Sequence, residues 1–480
     1  MTMSSIRRLA RVPRAAALFV AAAAISINAV YAQSRVAQPV AEASAGVKAG
    51  DDGSRIRLRL PELVAEAPQL AHEVSRGAPP QSSPLALSAL IGEALQNNPE
   101  LRAAAKETEA AKQRVRPAGA LEDPMLEAGL LNAPIQPFSL SSEDMTMKML
   151  GLSQKLPYPG KRALREQVAA KDAETFGYGL RETRNRIVRD VKFAYFDLAL
   201  TEETVRLLKR NREILEQFLR IAESRYAVGQ AAQADVLKAQ SQLGRMNEEL
   251  LRMERERPVT EAELARLLGR RADAAPLAAE LPGLREIALN PETLQQTALR
   301  ERPQLLGLQS AIERSTKTLE LARKEKQPDF DVRFSYGQRD KNPLGMPRED
   351  VFSLTVAMNL PVWRADKIEP RIAEAQAMRD QALEMQQAQQ NEVLAKLRQQ
   401  LAVTEQSRNS VRLYDTSILP QARLAVEAAL AAYKVSRVDL LTLLDSQMTL
   451  YGDEIGRARE LVNFNKALAE IDLLTGKRIF

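Results

Sequence analysis

Apolar and polar residues alternate, as they do in strands, in two neighbouring stretches of the chain. In residues 328–337 every second side chain is apolar, at Phe330, Val332, Phe334 and Tyr336. Residues 351–361 alternate in the same way, with apolar positions at Phe352, Leu354, Val356, Met358 and Leu360. A strand with one apolar and one polar face separates water from lipid or from a protein core. The pattern therefore predicts a β-hairpin with one covered face.

A second predicted hairpin lies earlier in the chain, within Leu121–Arg162. It opens at Pro124 and closes at a Pro-Tyr-Pro-Gly break that begins at Pro157. Clusters of proline, glycine and serine bound strands in this way. The two β segments span about residues 124–156 and 328–361, and the strands of the first would be residues 125–133 and 145–156.

Helical periodicity dominates the remaining chain. No proline occurs between Pro159 and Pro258, so residues 161 to about 226 can form a single helix. At 1.5 Å per residue such a helix is about 100 Å long. Pro370 and Pro420 interrupt the next long helical run. The other predicted helices span residues 85–116, 234–268, 291–326, 366–433 and 440–474.

The order of predicted elements repeats along the chain. At an offset of 204 residues Pro99-Glu100-Leu101 aligns with Pro303-Gln304-Leu305, and at 207 Gly269-Arg270 aligns with Gly476-Lys477. Long registration without gaps predicts an internal duplication. The predicted organisation is a first repeat over residues 85–270, a linker over 271–290 and a second repeat over 291–480.

The first 32 residues have the features of a secretory signal peptide. A segment with four arginines precedes the apolar run Ala15–Ala29, and Val30-Tyr31-Ala32 fits the small-residue rule for cleavage before Gln33. Residues 33–84 are rich in Ala, Gly, Pro and Ser and predict a flexible extension. We therefore expect an exported protein.

If the apolar strand faces contact lipid, the four strands of one chain are too few to form a closed sheet. In lipid every backbone group needs a partner, so a sheet must close on itself. Two chains would supply eight strands and a barrel filled by side chains, whereas three would supply twelve and leave a passage. The predicted fold class is mainly α with membrane β, with long helical hairpins and a trimeric 12-stranded barrel. A soluble hairpin packed on helices is the alternative that periodicity leaves open.

Composition excludes several classes of function. The 480 residues are 27% charged and 4% aromatic with a net charge of +6, and the charges are mixed along helices, so no nucleic-acid patch is predicted. The chain has no cysteine, which excludes thiol chemistry and a lipid-carrying N-terminal cysteine. The one histidine, His72, lies in the predicted extension, so neither an enzyme nor a bound cofactor is expected.

Four segments carry a resemblance to a known family. They read ALQNNPELRAA, GLSQKLPYPGKR, RYAVGQAAQADVLKAQSQL and AYKVSRVDLLTLLDSQMTLY. With them the chain resembles the TolC-like outer-membrane factors of tripartite efflux systems over about residues 85–477. The segment MTMKMLGLSQKLPYPGKR is most similar to the branch of the family that accompanies copper/silver and cobalt/zinc/cadmium pumps.

The resemblance implies a homotrimer with a barrel in the outer-membrane lipid and a helical tunnel across the periplasm. It also implies two partners, a periplasmic adaptor (a membrane fusion protein) and an inner-membrane pump of the RND type. The chain would be a passive export duct for heavy-metal cations. Two alternatives are a duct for drugs or other small molecules and, from a different class, a soluble periplasmic coiled-coil adaptor.

The resemblance places the periplasmic entrance at two helical turns, Tyr226–Leu237 and Tyr433–Leu444. Asp235 and Asp445 occupy positions at which the family keeps acidic residues, and rings of like charge would favour cations there. Helix capping or a solvated surface is the alternative role. Ser436 and Thr442 depart from the family pattern, and Arg437 and Asp439 could form a local charge pair instead. The expected adaptor contacts are Val228, Gly229, Val435 and Ser436.

Two further features are candidates at the β segments. Met145, Met147 and Met149 would share the strand face turned away from lipid, where thioether sulfurs suit Cu(I) or Ag(I). Adaptable filling of a barrel wall is the other interpretation. No other metal site is predicted. Trp363, where the last strand meets a helix, is the expected membrane-interface anchor, with ordinary packing as the alternative.

Overall fold

The computed structural model describes residues 86–136, 138–271 and 277–479. The predicted signal peptide, residues 1–32, and the predicted extension, residues 33–84, lie outside these ranges. Within them, helices and one four-stranded sheet account for the architecture.

The first half begins with three short helices. They are α1 (Leu87–Asn97), α2 (Pro99–Gln113) and α3 (Val115–Gly119). Strands β1 (Met125–Leu131) and β2 (Met147–Leu156) follow, and then the long helix α4 (Lys161–Ala227) and helix α5 (Gln233–Leu268). The single long helix predicted over residues 161–226 is confirmed, and its 67 residues correspond to about 100 Å.

The second half has the same order of elements. Helices α6 (Pro291–Glu301) and α7 (Pro303–Lys324) precede strands β3 (Phe330–Gln338) and β4 (Val351–Met358). Helices α8 (Glu369–Leu413), α9 (Leu419–Lys434) and α10 (Leu440–Thr475) complete it. Two π-helical turns, Arg364–Ile368 and Tyr414–Ile418, introduce α8 and α9.

Several predicted helices are divided by prolines. The residue before a proline is driven out of the helical region, and Asn98 (ψ 122°) and Arg302 (ψ 121°) are both extended. The sequence predicts one continuous helix over residues 85–116 and another over 291–326, and both predictions are wrong because the helices break before these prolines. A proline ring also clashes with the carbonyl four residues earlier. The residues four positions before Pro370 and Pro420 lie in the two π turns, whose wider spacing accommodates the proline rings.

The sheet has the order β1-β2-β3-β4, and every neighbouring pair is antiparallel. Leu150 of β2 lies opposite Ala128 of β1 and Tyr336 of β3, and Tyr336 lies opposite Phe352 of β4. Opposite residues share a face, so one register fixes one face across all four strands. Within the described chain β1 and β4 each have a partner strand on one side only.

Helix α4 is the element on which the first half is built. Helices α2 and α3 pack against its first part, α1 and the end of α5 against its middle, and the rest of α5 against its last part. Stacked short helices thus run beside one long helix. Buried apolar residues from α1, α4 and α5 form one core, centred on Leu90, Ile187, Leu198 and Leu268.

Both halves end on a glycine packed against a break between helices. Gly269 (φ 71°) follows α5, and a Cβ there would lie 2.7 Å from the carbonyl oxygen of Asn97. Gly476 (φ 71°) follows α10, and its Cβ would lie 2.7 Å from the carbonyl oxygen of Glu301. Asn97 and Glu301 are the last residues of α1 and α6. Only glycine combines the left-handed backbone with such close contact.

Among the described residues no helix has the length and hydropathy needed to cross a membrane.

Candidate functional site at the hairpin turns and the sheet faces

The two turns that join α4 to α5 and α9 to α10 have the same backbone geometry. In the first, the Gly229 amide donates to the Tyr226 carbonyl (2.9 Å) and the Gln230 amide to the Arg225 carbonyl (2.8 Å). In the second, the Ser436 amide donates to the Tyr433 carbonyl (3.1 Å) and the Arg437 amide to the Ala432 carbonyl (2.9 Å). Gly229 and Ser436 are both left-handed, with φ of 73° and 60°.

The Arg225 side chain joins the two turns. Its guanidinium donates to the backbone carbonyl of Tyr433 and to the hydroxyl of Ser436. The same group lies 4.7 Å from the centroid of the Tyr433 ring, which is a cation–π geometry. A third contact at 3.4 Å reaches the Gln230 carbonyl in its own turn. One arginine therefore holds residues that are 208 positions apart in sequence.

Ser436 has a role that its place in the turn does not suggest. A left-handed backbone costs a residue with a Cβ about 1–2 kcal/mol relative to glycine. The serine hydroxyl accepts the Arg225 hydrogen bond, which glycine could not do. The departure from glycine at this position thus creates an acceptor for the Arg225 side chain.

The hydroxyl of Tyr433 is buried beneath this junction. The side chain is 3% exposed, and its oxygen has no hydrogen-bond partner within the described chain. Burial raises the pKa of Tyr433, and the carboxylate of Asp235 raises it further. The positive charge of Arg225 acts in the opposite direction and lowers the pKa of Tyr433.

The acidic residues at the turns have different surroundings. Asp235 is partly exposed in the first turn of α5, and Asp445 is exposed on α10; neither has an ion-pair partner among the described residues. Asp439 caps α10, accepting from the amide (3.0 Å) and the hydroxyl (2.6 Å) of Thr442. Both hydrogen bonds lower the pKa of Asp439, and the one from the Thr442 hydroxyl has the larger effect.

The charge pair suggested for Arg437 and Asp439 does not form. Asp439 is used as a helix cap by Thr442, and Arg437 is exposed without an ion-pair partner in the described chain. The reason is geometric, since the N-cap position aims the aspartate back at the first turn of its own helix. Position 442, where the family often has an acidic residue, is a threonine here, and its amide and hydroxyl hold the Asp439 carboxylate in place.

Both turns rest on one shared core. Phe218 and Ala222 of α4 pack in a single buried cluster with Tyr433, Leu440 and Leu443 of the second hairpin. The adaptor-contact candidates lie outside this core. Val228 and Val435 are 67% and 63% exposed, and Gly229 and Ser436 are exposed beside them.

The sheet has one largely apolar face, whose polar members are Lys148, Gln154 and Gln338. On β4, Phe352, Leu354 and Val356 are 60–64% exposed. The same face carries apolar side chains from the other three strands, namely Leu126, Leu130, Leu150, Leu152, Leu156, Phe330, Val332, Phe334 and Tyr336. The opposite face is mostly small or polar and includes an ion pair between Arg333 and Glu127 at 3.3 Å. The apolar face is therefore not packed on the chain's own helices.

The methionine stripe is shorter than predicted. Met147 and Met149 lie on the face opposite the apolar one, but Met145 lies in the turn before β2, because the strand starts at Met147. Met147 is 8% exposed, with its sulfur against Gly337, and Met149 lies opposite Gly129 and Gly337. Among the described residues no cluster of three or more His, Cys, Asp or Glu side chains could hold a metal.

Sequence reasoning missed Arg225 and placed Trp363 correctly between a strand and a helix. Trp363 is 71% exposed between β4 and the first π turn. Arg225 had one usable signal. The two turns match in sequence, but the residue before the tyrosine is Arg225 in the first and Ala432 in the second.

Comparisons with known proteins agree with this architecture. Residues 90–270 match the sequence model of the family described as outer membrane efflux protein. The chain is 24% identical over 399 residues to the cobalt-zinc-cadmium resistance protein CzcC of Cupriavidus metallidurans, covering 82% of this chain and 91% of the relative. It is also 24% identical over 341 residues to the pyoverdine export outer membrane protein OpmQ of Pseudomonas aeruginosa, covering 66% of this chain and 69% of the relative.

Solved structures show the same fold. The outer-membrane channel OprN superposes with a TM-score of 0.70 at 18% identity, over 82% of this chain and 90% of that one. CusC superposes with a TM-score of 0.71 at 15% identity, over 82% and 92%. The open-state MtrE channel of Neisseria gonorrhoeae gives 0.68 at 18%, over 82% and 89%. The resemblance to TolC-like outer-membrane efflux factors, inferred from the sequence, is confirmed.

Proposed function

We propose that this chain is the outer-membrane channel component of a tripartite efflux system, and that it acts as a passive duct. The observation that carries the proposal is the exposed apolar face shared by all four strands. Apolar faces of this extent are covered by lipid or by protein in a working molecule. A polar opposite face suits a water-filled passage.

The same sheet argues for a homotrimer. Within the described chain β1 and β4 each leave one edge unpaired, and a sheet in lipid must close. Three copies would join β4 of one to β1 of the next in a twelve-stranded barrel wide enough for a passage. A soluble coiled-coil adaptor, the competing function, would have no reason to expose Phe352, Leu354 and Val356 at 60–64%.

The helices would continue the passage as a periplasmic tunnel. We attribute the matching order of elements in residues 85–270 and 291–480 to an internal duplication, with residues 271–290 as the linker. A cleaved signal peptide would export the chain without lipidation, since it has no cysteine. Trp363 would anchor the boundary between membrane and tunnel.

The hairpin turns would form the tunnel entrance. In a trimer Asp235 and Asp445 would each form a ring of three carboxylates, which raises the local concentration of cations. Val228, Gly229, Val435 and Ser436 would meet a periplasmic adaptor bound to an inner-membrane pump of the RND type. Their exposure at the end of both hairpins supports this role.

Heavy-metal cations are the substrate class we propose. The likeness to a cobalt-zinc-cadmium resistance protein over 82% of the chain supports it. The likeness to a pyoverdine export protein over 66% of the chain supports the second candidate, a duct for small organic molecules. Met149 would contribute a soft sulfur ligand if copper or silver were carried, whereas the Met147 sulfur is packed against Gly337.

Deletion of the gene tests function and substrate together. The proposal predicts a loss of tolerance to cobalt, zinc and cadmium that the wild-type gene restores. A strain whose tolerance changes only for organic toxins would favour the small-molecule duct. Unchanged tolerance in the deletion strain, together with a wild-type protein that fractionates with the soluble periplasm, would overturn the proposed channel.

A further inference from the structure

A cavity of about 340 Å³ lies where β4 ends and the helices begin. Its walls come from the start of α4, the end of α7 and the segment Leu360–Ile368. It therefore lies at the border between the apolar sheet face and the charged helices. Neither the hairpin turns nor the strand faces already described make use of it.

One side of the cavity continues the apolar sheet face. Leu360 keeps the alternation of β4, two residues beyond Met358, and is 68% exposed. Val362 and Trp363 follow at 70% and 71%. Tryptophan favours the level of lipid headgroups, where its ring meets acyl chains and its N–H meets water.

The other side of the cavity is cationic. Four cationic side chains line it, Lys161, Arg165, Lys367 and Arg371, against two carboxylates, Glu325 and Asp329, which leaves an excess of two positive charges.

The carboxylates are already occupied. Lys161 donates to Asp329 at 2.8 Å, and Arg371 contacts Glu325 at 2.9 Å. Lys161 is 4% exposed and also donates to the Gln327 carbonyl at 2.9 Å, so two of its three N–H donors are already used. Arg165 and Lys367 are exposed and have no ion-pair partner among the described residues. The excess charge therefore belongs to these two side chains.

We infer that this cavity binds the phosphate headgroup of an anionic phospholipid. Arg165 and Lys367 would contact the phosphate, and Leu360, Val362 and Trp363 would lie along the glycerol and the first acyl carbons. Free phosphate would use the two cations but leave the adjoining apolar wall without a function. The inference rests on the proposed membrane location, because only there do sheet face and cavity meet a lipid leaflet.

Native mass spectrometry of the full-length protein tests the assignment. The protein is purified in detergent, exposed to equal amounts of phosphatidylglycerol and phosphatidylcholine, and its bound lipids are counted. Wild type is expected to retain phosphatidylglycerol in preference. The double variant Arg165→Gln/Lys367→Gln should weaken that retention roughly 20- to 30-fold, at about fivefold for each charge.

The matched control removes two positive charges elsewhere, one from α4 and one from α8. Arg220 on α4 and Arg398 on α8 are exposed and lie outside the cavity, so Arg220→Gln/Arg398→Gln should bind like wild type. Equal phosphatidylglycerol retention by both double variants would overturn the inference, as would displacement of the lipid by millimolar inorganic phosphate alone. A wild type found in the soluble fraction would overturn the proposed function instead, whereas a membrane-embedded wild type without bound phosphatidylglycerol overturns only this site.

Discussion

The guanidinium of Arg225 lies 4.7 Å from the centroid of the Tyr433 ring and donates to the carbonyl of the same residue. The two residues belong to different hairpins, α4–α5 and α9–α10. Beneath them the hairpins share one buried core. The two turns of one chain are therefore tied together at their ends as well as along their packed faces.

Replacing Arg225 with alanine should loosen the second turn. The Ser436 hydroxyl and the Tyr433 carbonyl would lose a charged donor, which costs about 1–3 kcal/mol locally. We expect amides around Ser436 to exchange hydrogen roughly 5- to 150-fold faster, as measured by mass spectrometry. Arg220→Ala, on an exposed position of the same helix, is the control and should leave these amides unchanged. Equal exchange in both variants would refute the contact.

The glycine at the end of α10 should tolerate no side chain. Gly476→Ala would place a Cβ 2.7 Å from the Glu301 carbonyl oxygen and 2.9 Å from the Arg302 Cα, at a φ of 71°. Strain and clash together predict a loss of more than about 2 kcal/mol. Gly452→Ala on the same helix meets nothing within 4 Å and should stabilise by about 0.5–1 kcal/mol. Thermal unfolding in detergent compares the two, and similar melting temperatures would contradict this packing.

The cap of α10 should depend on pH. Hydrogen bonds from Thr442 lower the pKa of Asp439 in the folded protein below the value of 3.8 for a free side chain. The stabilisation is therefore complete above that value and is lost as the pH falls through the lower, folded pKa. Asp439→Asn retains an acceptor without a charge that titrates there. Hydrogen exchange of the first α10 amides should differ between the two proteins at pH 6, and the difference should shrink as the pH falls below 3.8. A constant difference would exclude the titration.

Much of the fold could be predicted from the sequence because its signals are local. The alternation at Phe330–Tyr336 specifies a strand with one apolar face, and the proline-free stretch after Gly160 allows α4 to run unbroken. The breaks at Asn98 and Arg302 were predictable too, since each precedes a proline. They were missed because apolar periodicity continues across both.

The contacts of the site could not be predicted in the same way. The Arg225 contact joins residues 208 positions apart, and nothing local to Arg225 says that the second turn lies beside it. The choice of Thr442 rather than Arg437 as the partner of Asp439 depends on where α10 begins. Met145 failed to join the other methionines because β2 begins two residues later than alternation suggested.

The two faces of β4 should respond oppositely to charge. Leu354 lies on the apolar face and is 64% exposed, and Thr355 lies on the polar one. Leu354→Arg should cost about 2–4 kcal/mol in lipid and lower the amount of protein assembled in the outer membrane. Thr355→Arg should assemble like wild type, as judged by the membrane fraction on immunoblots. Equal assembly of both variants would mean that the apolar face does not contact lipid.

The mass of the purified protein distinguishes a trimeric membrane channel from a single soluble chain. We expect a protein that is extracted from outer membranes only by detergent and whose protein mass, measured by light scattering with the detergent subtracted, equals three chains. Three chains supply the twelve strands that a passage requires. A folded single chain that stays dissolved without detergent would contradict the account.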